Sequence, residues 1–271
     1  MRAARGDVGG TAILVGGYES GRGRELPSLP PQAGLEDLRC RVVGVGRELG
    51  RALDVAAGEA DAERPLVVLP MTLGRDPRLC ADTARTVRWV RASEEAPPIA
   101  LAAPFGSANH LIGWLRAACL ELPEDAAVLI AATPADPFDD AELYRVAALV
   151  RTHGRQRLVE VGFRSPAGRL EAGLERCRRL GAERVAIVPA EFCPRADAAP
   201  LLSPAVIARV VAARVAMARH RLIEHGDDGV ATALAADHEH GFAHSHEGGH
   251  QHGHTHAHDH LHDHHSQMAV G

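Results

Sequence analysis

Apolar residues along the chain fall into two kinds of run. Short continuous stretches occur at Ala12 to Val15, Pro65 to Pro70, Ile99 to Ala102, Ala127 to Ala131, Leu158 to Phe163 and Arg184 to Val188. Runs of this length, mostly bounded by Gly or Pro, predict strands buried on both faces. Between them apolar residues recur at three and four positions, which predicts helices. One such pattern, from Leu35, carries Leu38, Val42, Val45, Leu49 and Leu53, with Glu36 and Asp37 near its start; another starts near Pro77 with Leu79, Thr83, Thr86, Val87 and Val90. Leu111, Ile112, Leu115 and Cys119 mark a third, and Leu143, Val146, Ala147 and Val150 a fourth, opened by the capping-box pair Asp139 and Glu142. A fifth helix is predicted from Ser165-Pro166 to Gly181, and a last one opens at Ser203-Pro204 with Ile207, Val210, Val211 and Met217 on one face. Gly21 to Pro31, rich in Gly, Arg and Pro, predicts a loop. Strands alternating with helices call for an α/β fold with parallel sheets covered on both faces.

The alternation contains an echo. Ile13-Leu14-Val15-Gly16 matches Val128-Leu129-Ile130-Ala131, and Val67-Val68-Leu69-Pro70 matches Ala186-Ile187-Val188-Pro189, at offsets of 115 and 119 residues. The expected architecture is two similar halves, residues 8–123 and 124–221, facing a cleft at the strand ends where such sheets place ligands.

Composition changes the picture at the C-terminus. With 271 residues and 46% apolar content there is ample core, but only 3% of residues are aromatic, and all 30 basic residues are Arg. Of 17 His, 13 lie between His238 and His265. Residues 222–271 hold eight acids and no Arg, a charge of −8, which leaves +3 on the body within the net −5. A body so near neutral lacks the concentrated basic face of a nucleic-acid-binding protein. The five Cys are widely spaced with no CxxC pair, so neither a disulfide framework nor a zinc knuckle is expected. No apolar run is long enough for a signal-peptide core or a membrane span, and a reducing, cytoplasmic setting without membrane contact is the expectation.

His250, His252, His254, His256, His258, His260, His262 and His264 alternate with other residues, a spacing that packing does not require. Imidazole binds borderline divalent metals, and a chain presenting many of them captures Co, Ni, Cu or Zn without a rigid geometry. Residues 222–271 are therefore expected to be a disordered, acidic, His-rich metal-binding tail that stores, delivers or buffers metal.

The body resembles the small class II tetrapyrrole chelatases, the sirohydrochlorin cobaltochelatase family of cobalamin biosynthesis. The carriers are Leu14-Val15-Gly16-Gly17-Tyr18-Glu19-Ser20, Val67-Val68-Leu69-Pro70-Met71-Thr72-Leu73-Gly74-Arg75, Ala103-Pro104-Phe105-Gly106, and the later echoes Val159-Glu160-Val161-Gly162-Phe163 and Val188-Pro189, across most of residues 11–220. The resemblance implies two chelatase-like halves around a cleft, in which a polycarboxylated macrocycle loses two pyrrole N–H protons as a divalent metal enters. The metal is substrate or cargo, cobalt first, with Ni, Fe or Zn as alternatives. No nucleotide is implied, in keeping with the absence of a GxxxxGKS loop. Tetrapyrrole-pathway enzymes are the implied protein partners. The family's first strand usually ends Gly-His-Gly-Ser, whereas this chain has Gly16-Gly17-Tyr18-Glu19-Ser20, and Gly74-Arg75-Asp76-Pro77 stands where a second family His is expected. The alternative expectation is a chelatase-derived metallochaperone or metal-storage protein that acts through the tail.

By position, Tyr18 and Glu19 replace the missing imidazole, since a carboxylate binds metal and accepts a proton; the competing reading is a solvated turn. His110, after Pro104-Phe105-Gly106, either reaches the cleft as ligand or base or caps a helix. Cys193 is a soft metal ligand or a buried thiol. Arg22, Arg24, Arg75 and Arg78 lie near the expected rim, where guanidinium forks suit substrate carboxylates, or else they are solubilising charges.

Overall fold

A computed structural model describes residues 10–29, 38–61, 64–93, 96–164, 169–192 and 198–239. Its strands are β1 (Gly10–Gly16), β2 (Leu38–Gly44), β3 (Leu66–Met71), β4 (Ile99–Leu101), β5 (Ala127–Ala132), β6 (Val159–Phe163) and β7 (Val185–Pro189). Its helices are α1 (Arg47–Ala56), α2 (Pro77–Val90), α3 (Ala108–Leu120), α4 (Pro137–His153), α5 (Arg169–Arg179), α6 (Pro204–His225) and α7 (Val230–Glu239). The strands form two parallel sheets ordered β2-β1-β3-β4 and β6-β5-β7. The α/β class with parallel sheets is as expected, and the order 2-1-3 recurs in the second sheet as 6-5-7. None of the described helices is long and apolar enough to cross a membrane.

Alternation within the central strands divides the interior. Ala12 and Leu14 of β1, with Val67, Leu69 and Met71 of β3, face a core shared with Val128, Ile130 and Ala132 of β5 and with β6. Their neighbours Ile13, Val15, Leu66 and Val68 face α1, α2 and α7 on the opposite side. Ala127 and Leu129 face a small third cluster with Cys177 of α5. The period of two makes each central strand apolar throughout, because both faces are covered.

Several expectations change. The helix predicted from Leu35 begins only at Arg47; Leu38–Gly44 is a strand paired to β1 at the sheet edge. An edge strand needs only one buried side, and Arg39, Cys40 and Val42 are exposed, so its spacing imitates a helix. α4 is capped by Asp136, whose carboxylate accepts from the N–H groups of Phe138 (2.8 Å) and Asp139 (3.1 Å), not by Asp139 with Glu142. On α6 the buried stripe is Ile207, Ala208, Val211, Val215 and Ala218, while Met217 is exposed. The chain also stays folded beyond residue 221: α6 runs to His225, Leu101 N–H donates to Asp228 O at 2.8 Å, and α7 packs on α2. Nor do residues 8–123 and 124–221 hold separate cores. α3 leaves the first sheet to pack on β7 and α4, and α6 returns to cover β3 and β4. The predicted Ser165-Pro166 cap and the alternating histidines His250 to His264 lie outside the described residues.

Gly50 sits inside α1, and a Cβ built there meets nothing within 4 Å. Glycine inside a helix costs about 0.5–1 kcal/mol relative to alanine. Gly50→Ala is therefore expected to raise the thermal midpoint by about 1–3 °C in a calorimetric scan; a lowered midpoint would show a contact that α1 makes at this position.

Candidate functional site

The strand order of the first, parallel sheet reverses between β1 and β3, the position at which open α/β sheets form their ligand crevice. β1 ends at Gly16-Gly17 and enters a 3₁₀ turn, Tyr18–Ser20. Asp76 crowds this turn: a Cβ at Gly17 would lie 2.1 Å from Asp76 Oδ2 and would displace that carboxylate. β3 ends at Met71 and is followed by Thr72-Leu73-Gly74, with Gly74 at φ +117° packed so closely on Ser107 that a Cβ would clash at 2.1 Å. The two turns meet at Glu19.

Glu19 is 1% exposed, so it is not a solvated turn residue. Its Oε2 accepts from Thr72 Oγ1 and, at 3.0 Å, from Leu73 N–H. Thr72 Oγ1 itself accepts from Gly74 N–H (2.9 Å) and Asp76 N–H (3.2 Å), so its single hydrogen is committed to Glu19. With Oε2 held as an acceptor, a proton on this carboxyl belongs on Oε1. That atom is buried and has no hydrogen-bond partner among the described residues. Burial pushes the Glu19 carboxyl up to about 7, against the opposing pull of Arg75 and of the Thr72 and Leu73 hydrogen bonds. The arrangement holds Oε2 by two donors and leaves Oε1 unsupported beside it.

Arg75 lies beside it. Its side chain is 1% exposed, its guanidinium carbon lies 5.5 Å from the Tyr18 ring centroid, and its nearest ion-pair partner is Asp140 at 3.6 Å. None of its three guanidinium nitrogens makes a hydrogen bond among the described residues. Tyr18 OH donates to Arg75 O, which seats the phenol over the guanidinium, and burial, then Glu19, raises the phenol well above its ordinary value. Across the seam, Arg78 pairs with Asp136 at 2.7 Å. Burial, then the neighbouring Asp136 and Asp76, pushes Asp139 up to about 6. Asp76, which caps α2 through Leu79 N–H at 2.9 Å, is also raised by burial.

The second sheet carries a counterpart of opposite polarity. Thr133, after β5, donates through its N–H (3.1 Å) and Oγ1 (2.8 Å) to Glu191 Oε2, after β7, and Arg164 Nε lies 2.8 Å from Glu191 Oε1. In the first sheet the carboxylate follows β1 and the threonine follows β3; in the second they are exchanged. The halves are joined at this level by Phe192 N–H donating to Glu19 O at 3.0 Å.

Of the residues expected from sequence, Tyr18, Glu19, Arg75 and Arg78 converge. Arg75 is under the site and not on a rim open to solvent. Arg22 and Arg24 do not join it: Arg22, at φ +60°, reaches Val45 O at 3.4 Å, and Arg24 Nε donates to Gly21 O at 3.1 Å. His110 is a cap. Its Nδ1 accepts from Ser107 N–H at 3.2 Å, closing a capping box on α3, and its ring stacks on Trp114 at 5.7 Å. Cys193 lies outside the described residues. Thr72, Asp140, Thr133 and Arg164 are not among the residues expected from sequence, and Asp139 is expected only as a helix cap; the 119-residue offset places Thr72 over Glu191 and is the sequence signal that leads to the paired clasps. Among the described residues no group of three or more His, Cys, Asp or Glu is arranged to hold a metal ion. The sequence matches no family model, and no curated protein matches it.

Proposed function

We propose that the protein is a class II chelatase-like lyase that inserts a divalent metal, cobalt first, into a sirohydrochlorin-type tetrapyrrole of cobalamin biosynthesis without a nucleotide. The observation that carries this reading is Glu19: a buried carboxyl at the strand-order reversal, poised near neutrality, with Oε1 free. Metal insertion breaks two pyrrole N–H bonds; each nitrogen keeps its electron pair for the metal and each proton needs an acceptor. Ionised Glu19 takes one proton on Oε1, and Asp139, held near 6, is a second acceptor of suitable pKa. Arg75 and Arg78 supply positive charge for substrate carboxylates once their contacts with Asp140 and Asp136 open. The His-rich tail gathers the metal, and the two halves with their exchanged helices form the walls of the cleft.

A second reading is favoured by the same two ion pairs, which tie the seam shut, and by the lack of a metal-holding group among the described residues. It is a metal-delivery or storage protein whose cleft does no chemistry. Deleting residues 240–265 separates the two. On the chelatase reading the deletion lowers bound Co(II) in equilibrium dialysis and leaves the rate of insertion into sirohydrochlorin unchanged at saturating Co(II). Absence of any insertion above the metal-only rate, with or without the tail, would leave the delivery reading.

A further inference from the structure

Away from the crevice, α1 and α2 enclose an open groove of about 480 Å³ lined by Gly46, Arg47, Gly50, Arg51, Asp54, Arg85, Thr86 and Trp89. Its floor is bare, since a Cβ at Gly46 or Gly50 would meet nothing within 4 Å. Its wall is the indole of Trp89, 73% exposed. Arg47 and Arg51 make no ion pair among the described residues, and Arg85 is shared with Asp82. With Arg85 offset by Asp82, Arg47 and Arg51 against Asp54 leave the groove positive by one charge. An exposed indole flanked by arginines is a surface for stacking rings and acidic side chains.

We propose that the occupant is the chain's own segment 240–271, docked while free of metal and released when it is loaded. Three observations select it. It contains Glu247, Asp259 and Asp263 and no Arg or Lys, so its charge complements the groove. Its imidazoles are flat rings able to stack on the indole. It also continues directly from α7, which flanks α2 on the side opposite α1. A helix is about 10–12 Å across, whereas 32 residues extend to roughly 100 Å, so the segment reaches over α2 with length to spare. Each divalent ion bound by neutral imidazoles adds two positive charges, and two ions reverse the sign of the segment and repel it from the arginines. The release step rests on the metal-binding reading of the tail; the docking does not.

Acrylamide quenching of Trp89 fluorescence in the full chain, with the Trp89→Phe signal subtracted to remove Trp114, tests this. The metal-free wild type is expected to show about half the quenching constant of the triple variant Glu247→Gln, Asp259→Asn, Asp263→Asn. The double variant Arg47→Gln, Arg51→Gln is expected to match the triple variant, and Zn(II), which does not itself quench by paramagnetism, to bring the wild type to the same level. Equal constants for wild type and triple variant, or a protection that grows with protein concentration as for a second copy, would overturn the docking. A difference between those two proteins that Zn(II) leaves untouched would keep the docking and overturn release by metal.

Discussion

Glu19→Gln is expected to lower the rate of metal insertion by at least about 100-fold, the scale on which a positioned general base contributes. The same change alters the pH dependence of stability. The unfolded carboxyl ionises near 4.5 and the folded one near 7, so between these values the folded state keeps a proton that the unfolded state has lost. The contribution is fully present below pH 4.5, falls as pH rises through about 7, and amounts to roughly 3 kcal/mol across the window. Glutamine retains an oxygen to accept from Thr72 and Leu73 and does not titrate. Urea unfolding of the variant at a series of pH values should therefore lack this part of the decline, and a variant with the wild-type slope would remove Glu19 as the buried titrating group. Rate and stability readouts together separate loss of the base from loss of the fold.

Phe105→Ala is expected to cost about 3–5 kcal/mol, the usual result of emptying a buried aromatic site. Phe105 is 0% exposed, tilts against Trp114 at 5.6 Å, and meets Phe192 edge-on at 5.2 Å. Phe192 follows β7, and its N–H donates to Glu19 O, so this ring contact joins the two sheets just beneath the crevice. Trp114 and Phe192 would both lose their ring partner and face the void. Chemical denaturation of the variant measures the loss; a cost below about 1 kcal/mol would show that the sheets are held together elsewhere.

The strands were legible because both faces of β1, β3 and β5 are covered, which makes their sequences continuously apolar. The error at Leu38–Gly44 has the complementary cause, since an edge strand with Arg39, Cys40 and Val42 exposed carries a mixed pattern that spacing alone assigns to a helix. The exchange of α3 and α6 between the sheets was hidden because a buried stripe does not name the surface that it covers. Glu19 was found from its position after β1, but its burial depends on Thr72 and Phe192, 53 and 173 residues away. Arg75 was placed on a rim because a charged residue at the start of a helix is usually solvated; its stacking beneath Tyr18 is a tertiary fact. For His110 the sequence left two roles open, and Ser107, three residues before it, settles the matter as a cap.

On the proposed activity, ionised Glu19 accepts a pyrrole proton during metal insertion. The most direct test of this step is the rate of Co(II) insertion into sirohydrochlorin, followed by absorbance from pH 5.5 to 8.5 with the metal-only rate subtracted at each pH. Because the base acts when ionised, the catalysed rate should rise with pH to a plateau, with its midpoint near 7 in the wild type, and this rise should be absent in Glu19→Gln. A wild-type rate no faster than that of free metal, or a catalysed rate whose pH profile is the same in both proteins, would contradict the account.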